Sequence, residues 1–271
     1  MQTLVNEVIE LTSQAGGTWG IVLENADTGC RWGTNEQLPF IAESVMKLPI
    51  MVAVYALAEQ GRLALDEQLA IRREDRVGGS GVLQHLSAGL ALPVRDLLTL
   101  MIIQSDNTAT NLLIERIGPT AIQETMKQLG MTRSRFYRKM MIYPQDVPQV
   151  NLLTASDVAG LLSRLANRTI LAEKSCTEMV ELLKKQQVCN GLPSLLPQDE
   201  DWQLAHKSGW DTGRMHEAGI LYVRGRTIII SVFSEGVEHP QALNTLGRIG
   251  AAVYRWAKHI ANKQNGKDDG N

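Results

Sequence analysis

The chain has 271 residues, of which 44% are hydrophobic and 21% are charged, and its formal net charge is -2. This balance suits one large or two closely packed globular domains and gives no reason to expect nucleic acid or an anionic membrane as a partner. Its cysteines, Cys30, Cys176 and Cys189, are too few and too scattered for a disulfide framework or a zinc site.

Targeting and membrane signals are weak. No apolar run reaches the length of a transmembrane helix. Residues 1–7 lack the basic start and apolar core of a signal peptide. The protein is therefore expected to stay in the cytosol if this is the full chain, or to be exported if a signal has been removed.

The first elements predicted are a helix and a β-hairpin. Residues 2–14 place their apolar side chains on one helical face, and Gly16 and Gly17 end that pattern. Residues 18–24 alternate as a strand, and 30–33 predict the returning strand after a turn.

Helices then dominate the pattern as far as about Leu183. The run after Ser44 is apolar on every side to Ala58, which predicts a buried helix. Pro49 lies slightly deep for a first-turn proline, so a small local adjustment is expected there. Further helices are predicted at 93–103, 108–117, 119–129 and 155–166.

The last third of the chain returns to strands. Residues 202–207, 219–224 and 227–233 are strand-like, and a long helix is predicted over 240–261. The polar, glycine-containing residues 264–271 are expected to form a disordered tail.

This order predicts an α+β fold. The two ends of the chain most simply combine into one antiparallel sheet covered by the terminal helices, beside an all-α lobe. We expect the α/β lobe to comprise residues 1–40 and 200–263, and the helical lobe 41–199. Grooves between such lobes are favoured ligand sites.

Ser44 and Lys47 form the first candidate site. They lie one turn apart on the same face at the start of the buried helix. A helix N-terminus offers free N–H groups and a positive dipole end, so Ser44 would have both a base and oxyanion donors in reach. The alternative is a capping serine followed by a solvent-seeking lysine. A Ser-x-x-Lys match arises about once by chance in a chain of this length.

Two further short motifs follow. Ser105-Asp106-Asn107 stands between two predicted helices, where Asp or Asn can cap the second; an ordinary helix corner is the alternative. Lys207-Ser208-Gly209 ends the first late strand, and an ordinary strand end is again the alternative. Each motif alone is weak.

Together, the three motifs resemble the signature of the class A β-lactamases and of the penicillin-binding proteins that share their fold. They occur in the family's order, separated by 61 and 102 residues. The segments 63–67 and 103–113 are also similar, and the resemblance covers about residues 2–262. It implies a β-lactamase/transpeptidase-like fold, a small-molecule β-lactam or acyl-D-Ala-like substrate, no cofactor or metal, and a monomer.

The resemblance also implies catalytic roles. Ser44 would attack the substrate carbonyl and form an acyl-enzyme, and Lys47 would take or relay its proton. Ser105 would pass a proton to the departing nitrogen. Asn107 would hold the substrate's side-chain amide and Lys47. Lys207 would favour the Ser105 relay and attract the substrate carboxylate.

Substrate binding is expected mainly along the third motif. Ser208 would hydrogen-bond the carboxylate, Gly209 belongs to the same binding strand, and the N–H groups of Ser44 and Trp210 would form the oxyanion hole. His216 lies near the position of a carboxylate-binding arginine in family members, with Arg214 close by. A surface or strand-pairing histidine is the alternative for His216.

One family feature is missing. The Glu-x-x-x-Asn loop, whose glutamate activates the deacylating water in class A β-lactamases, occurs nowhere in this chain. The corresponding stretch, 137–151, contains Asp146 as its only acid. Asp146 is either a replacement base or a turn residue before Val147 and Pro148.

Three functions therefore stay open. The first is a β-lactamase-type serine hydrolase that deacylates by an unusual route, through Lys47 or Asp146. The second is a DD-peptidase or esterase, similar to penicillin-binding proteins, that is acylated by β-lactams and turns them over slowly. The third is a non-catalytic sensor of acyl ligands, against which the intact Lys47, Ser105 and Lys207 argue.

Overall fold

The structure is a computed structural model that describes residues 1–198 and 201–268. The helices in these residues are α1 (Gln2–Ala15), α2 (Lys47–Glu59), α3 (Val94–Ile103), α4 (Asn107–Ile117), α5 (Pro119–Gln128), α6 (Ala155–Ala166), α7 (Glu173–Lys184) and α8 (His239–Asp268). The strands are β1 (Thr18–Asn25), β2 (Cys30–Thr34), β3 (Phe40–Ile41), β4 (Gln68–Ala70), β5 (Ala91–Pro93), β6 (Leu152–Leu153), β7 (Trp202–Asp211), β8 (Arg214–Val223) and β9 (Arg226–Glu235).

Both ends of the chain build one sheet. Its five strands run in the order β2-β1-β9-β8-β7, and every neighbouring pair is antiparallel. The terminal helices α1 and α8 pack on one face, and the other face joins the core of the helical segment. The predicted α+β fold is therefore confirmed, while the lobe boundaries at 40/41 and 199/200 stay a prediction.

The edge strand β7 places unlike side chains on the two faces of the sheet. Leu204 belongs to the core under α1 and α8, whereas Ala205 belongs to the core shared with the helical segment. Successive residues of a strand point to opposite faces. Of the next two residues, His206 therefore lies on the face covered by α1 and α8, and Lys207 lies on the face towards the helical segment.

Helix α2 is buried on all sides, as the apolar run predicts. Every residue from Lys47 to Leu57 is buried. Ser44 precedes this helix in a 3₁₀ turn, Glu43–Met46. Pro49 is the third residue of α2, where its missing N–H leaves no helical hydrogen bond unmade. The 3₁₀ turn is the irregularity directly before this helix, and Pro49 itself fits into the first turn of α2.

Two predicted strand boundaries need correction. Strand β7 continues past residue 207 to Asp211, and β8 begins at Arg214 rather than 219. The polar residues His216 and Glu217 interrupt the apolar pattern of β8, yet both are fully buried among partners.

The closing helix also runs further than expected. Helix α8 extends to Asp268, so the tail predicted for 264–271 begins as helix, and residues 269–271 lie outside the described residues. A helix that is already nucleated extends at little cost. No helix in the described residues combines the length and apolarity needed to cross a membrane.

A close backbone contact makes Gly250 a test of this packing. A Cβ on Gly250, in α8, would lie 2.0 Å from the backbone oxygen of Leu192. Gly250→Ala should therefore lower the free energy of unfolding by about 1–3 kcal/mol, measured by urea denaturation. The control is Gly160→Ala in α6, where a Cβ meets nothing within 4 Å. There alanine should stabilise by about 0.5–1 kcal/mol. Equal effects would contradict the packing of α8 on Leu192.

Candidate active site

The three sequence motifs meet at one cleft of about 530 Å³. Ser44, Asn107 and Trp210 line this cleft. Lys47, Ser105 and Lys207 lie buried behind them, and Ser208 and Gly209 are buried in β7. Segments separated by 61 and 102 residues in the chain therefore form a single cluster around Ser44.

The amine of Lys47 is the centre of this cluster. Its side chain is fully buried. Lys47 Nζ lies 3.1 Å from Ser44 Oγ, 3.0 Å from Ser105 Oγ, 2.6 Å from the Ser105 backbone oxygen and 2.8 Å from Asn107 Oδ1. Two of these atoms are carbonyl oxygens, which only accept hydrogen bonds.

The environment of Lys47 favours its neutral form. Burial lowers the pKa of Lys47 well below its ordinary value, and the nearby charge of Lys207 lowers it further, against a smaller opposing effect of Asp106. A neutral amine has two N–H bonds and one lone pair. The two carbonyl oxygens can take the two N–H bonds, which leaves the lone pair for the hydroxyl of Ser44.

Ser105 connects the two buried lysines. Its hydroxyl lies 3.0 Å from Lys47 Nζ and 3.1 Å from Lys207 Nζ. Lys207 also donates to the backbone oxygen of Ser208 at 2.7 Å. Burial lowers the pKa of Lys207 to about 7, although the charge of Glu217 acts in the opposite direction. Protons can thus pass between two amines through one hydroxyl.

Asp106 positions its two neighbours. One carboxylate oxygen caps α4 by accepting from the N–H of Ala109 at 2.9 Å, as the predicted capping role requires. The other oxygen accepts from the N–H groups of Val82 and Leu83 at 2.7 and 2.8 Å. Asp106 therefore ties Ser105, whose φ is 54°, to a second loop.

Gly209 lets β7 approach the nucleophile. A Cβ at this position would lie 2.6 Å from the backbone nitrogen of Ser44 and 2.9 Å from that of Val45. Any side chain would push the strand away from the 3₁₀ turn. This contact brings residue 210 beside Ser44. The Trp210 side chain itself is 55% exposed, and its ring packs at an angle against the ring of His239, with the centroids 5.3 Å apart.

His216 does not reach the cleft, which corrects its expected substrate-binding role. Its ring is fully buried, with Nε2 at 2.8 Å from the Ile41 backbone oxygen and Nδ1 accepting from the N–H of Ser234 at 3.2 Å. Burial lowers the pKa of His216 to about 4, so the ring is neutral. It packs against Phe40 and Phe233 on the inner face of the sheet.

Asp146 is a turn residue. It is exposed in a turn in which the N–H of Val147 donates to the Pro144 oxygen at 3.2 Å, and it does not line the cleft. Nothing in this position directs its carboxylate towards Ser44. The turn alternative from the sequence therefore fits the structure.

The carboxylates that line the cleft, Glu43 and Asp211, were not predicted. Glu43 directly precedes Ser44, has a φ of 43°, and accepts from Arg214 Nε at 2.7 Å. Asp211 approaches Nη2 of Arg214 at 3.4 Å. Burial raises the pKa of Glu43, although Arg214 opposes this shift. Both carboxylates thus share one guanidinium.

Arg138 and Tyr143 form the far wall of the cleft. The guanidinium of Arg138 lies 4.2 Å from the centre of the Tyr143 ring. Asn151 holds this irregular segment by accepting from the N–H groups of Tyr137 and Arg138 at 2.7 and 3.0 Å. The sequence of this segment has no helical or strand period. The role of Asn151 in holding the loop could therefore be seen only in the structure.

The last feature of the site to consider is a metal ion. Within residues 1–198 and 201–268, no group of three or more His, Cys, Asp and Glu side chains has the arrangement of a metal site.

Known proteins resemble the chain over nearly its full length. The model of the beta-lactamase enzyme family matches residues 2–257. A beta-lactamase of Rhodobacter capsulatus is 26% identical over 272 residues, covering 94% of this chain and 89% of that protein. The crystal structure of a beta-lactamase from Sphaerobacter thermophilus has 32% identity and a TM-score of 0.87, covering 93% of this chain and 95% of that one.

The protein PBP-A shares the fold. Its structure matches with a TM-score of 0.86 and covers 96% of this chain and 97% of that one. At 22% identity, this likeness concerns the fold alone.

The buried amine of Lys207 should make stability depend on pH. Its pKa is about 7 in the folded protein, whereas an unfolded lysine titrates near 10.4. Between these values the unfolded chain binds one more proton, so the free energy of unfolding rises with pH, by about 1.4 kcal/mol per unit. Urea denaturation at pH 7.5 and 9.5 should show the wild type gaining about 2–3 kcal/mol relative to Lys207→Met. If the free energy of unfolding changed with pH in the same way in the wild type and in Lys207→Met, the folded protein would not contain a neutral Lys207.

Proposed function

Because the chain belongs to the beta-lactamase enzyme family, we propose that it opens β-lactam amides through an acyl-enzyme on Ser44. Family membership makes the chain a serine hydrolase of the β-lactam-hydrolysing class. The observation that carries the proposed mechanism is the position of Ser44 Oγ, 3.1 Å from the fully buried amine of Lys47.

The first step is proton transfer from Ser44 to neutral Lys47 as Ser44 Oγ attacks the carbonyl carbon of the lactam. A buried base whose pKa is lowered towards the working pH suits this transfer. The N–H groups of Ser44 and Trp210 are proposed to stabilise the oxyanion, held in place by the close contact at Gly209. Each donor of this kind contributes about 10²–10³ in rate.

The second step is protonation of the departing nitrogen. Ser105 is proposed to deliver that proton, because its hydroxyl lies 3.0 Å from Lys47 and 3.1 Å from Lys207. The lactam C–N bond breaks, the nitrogen gains the proton, and the acyl group stays on Ser44. A proton relay of this kind supports an enzyme rather than a mere sensor of acyl ligands.

Substrate recognition is proposed for Asn107, Lys207 and Ser208. The amide of Asn107 accepts from Lys47 through Oδ1 and donates to the Gly78 oxygen at 3.1 Å through Nδ2. A second N–H of that amide is left for the substrate. Lys207 and Ser208 are proposed to bind the substrate carboxylate.

The residues available for deacylation favour a second candidate function, a DD-peptidase or esterase. β-Lactams would acylate such an enzyme, and the acyl group would be hydrolysed from it slowly. Of the residues that line the cleft, only Glu43 and Asp211 carry carboxylates, and Arg214 engages both. Asp146 lies outside the cleft. Water attack on the acyl-enzyme then depends on Lys47 as base, and this step is expected to limit turnover.

Intact-protein mass spectrometry with benzylpenicillin tests the nucleophile. The wild type should gain the mass of one penicillin, on Ser44. Ser44→Ala should gain none and hydrolyse none, because the attacking hydroxyl is gone, while its circular dichroism spectrum stays native. Penicillin turnover by folded Ser44→Ala would refute the assignment.

The same time course separates the two candidate functions. A short-lived adduct with accumulating hydrolysed penicillin identifies a β-lactamase. An adduct that lasts many minutes identifies the slowly deacylating enzyme instead.

Lys207→Ala tests the carboxylate site. At pH 6, below the pKa of about 7 at which Lys207 loses its charge, removal of its charge-assisted hydrogen bond should reduce kcat/KM for a carboxylate-bearing penicillin by about 10–100-fold more than for a neutral nitrophenyl ester. Steady-state kinetics on both substrates measure this difference. An equal loss on the two would show that Lys207 acts in the proton relay alone.

A further inference from the structure

An ion pair joins the residue before Ser44 to the β7–β8 hairpin. Arg214 Nε donates to Glu43 Oε1 at 2.7 Å, and the two side chains are only 22% and 16% exposed. Arg214 lies directly opposite Asp211 in the ladder of this hairpin, across a tight turn. The pair therefore connects the 3₁₀ turn that carries Ser44 to the tip of the hairpin.

The backbone of Glu43 has an unfavourable conformation. Its φ of 43° lies in the left-handed region, which strains side chains with a Cβ and which glycine, asparagine and aspartate enter most readily. Such a conformation persists only where the surroundings enforce it, and it is typical of functional sites. The ion pair with Arg214 fixes the side chain of this strained residue.

Each end of the ion pair lies beside one of the proposed oxyanion donors. Glu43 directly precedes Ser44 in the chain, and at the other end the guanidinium lies opposite Asp211, the residue after Trp210. Between these ends the two segments meet at Gly209, where a Cβ would lie 2.6 Å from the backbone nitrogen of Ser44. Contact at a glycine brings the segments close, and the charge-assisted hydrogen bond fixes their separation.

We propose that Glu43 and Arg214 are positioning residues that set the separation of the two oxyanion donors, the N–H groups of Ser44 and Trp210. The inference rests on the proposed acyl-enzyme function. Oxyanion donors act when they lie about 2.7–3.1 Å from the place that the oxyanion will occupy. A misplacement of about 1 Å can cost about 100-fold in rate. An ion pair next to both donors controls such a distance.

The same contacts make Arg214 a poor ligand for the substrate carboxylate. Its Nε donates to Glu43 at 2.7 Å, and its Nη2 lies 3.4 Å from a carboxylate oxygen of Asp211. Two carboxylates thus share one guanidinium, and their charge would repel a third carboxylate. A positioning role and a carboxylate-binding role therefore predict different results when the pair is broken.

Methionine replaces either member of the pair with an uncharged side chain of similar length. The variants are Glu43→Met, Arg214→Met and the double variant, in which neither charge is left buried without its partner. The control is Arg116→Met, which breaks the ion pair of Arg116 Nη2 with Glu67 at 2.8 Å, outside the cleft. This control should leave every rate constant unchanged.

Single-turnover kinetics, with enzyme in varied excess, give the acylation and deacylation rate constants and the substrate dissociation constant. Benzylpenicillin and a neutral nitrophenyl ester are compared. Each single methionine variant of the pair should lose about 10–100-fold in both rate constants on both substrates, because the same oxyanion forms in acylation and in deacylation. The dissociation constants should not change. The double variant should lose no more than either single variant, because the two side chains act as one unit.

Three results would overturn the inference. The first is unchanged rate constants in variants with a native circular dichroism spectrum. The second is a loss confined to benzylpenicillin in Arg214→Met, with tighter penicillin binding in Glu43→Met, which would make Arg214 a carboxylate ligand. The third is a loss confined to deacylation in Glu43→Met, which would make Glu43 a base.

If a single variant does not fold, the double variant decides, and native rate constants in it would overturn the inference. The test also separates the inference from the function on which it rests. A wild type that neither substrate acylates would refute the proposed function and the inference with it. A wild type that is acylated, beside folded variants with unchanged rates, would refute the inference alone.

Discussion

The burial of the Lys47 amine is the constraint on which the site depends. A buried ammonium is costly, so burial lowers the pKa of the amine, and oxygen atoms surround it. Those oxygens come from Ser105 and Asn107, and Asp106 places both by capping α4 and holding a neighbouring loop. Lys47 Nζ thus lies 3.1 Å from Ser44 Oγ in a pocket that the second motif builds around it.

Strand β7 joins the two halves of the molecule. Its residue Gly209 presses on the turn that carries Ser44, and Lys207 reaches Ser105 on the inner face. On the outer face, His206 is bound to Glu217. The charge of Glu217 raises the pKa of Lys207 across the sheet, so the outer cluster influences the electrostatics of the cleft.

Much of this could be predicted from the sequence. The helices and the early hairpin follow from periodicity, because their side chains meet either core or solvent. The three motifs identified Ser44, Lys47, Ser105 and Lys207, which the structure brings into one cluster. His216 was misassigned because a polar residue in a buried strand looks the same in sequence whether it faces a ligand or a backbone carbonyl.

By itself, the sequence determined the α+β element order, the buried helix behind Ser44 and the set of residues proposed for acyl transfer. These follow from local chemistry: periodic burial, capping and short motifs. Only the tertiary structure decided which carboxylates reach the cleft and that Arg214 engages both. Such pairings join residues far apart in the chain, and their charges and pKa values depend on burial, which no local pattern encodes.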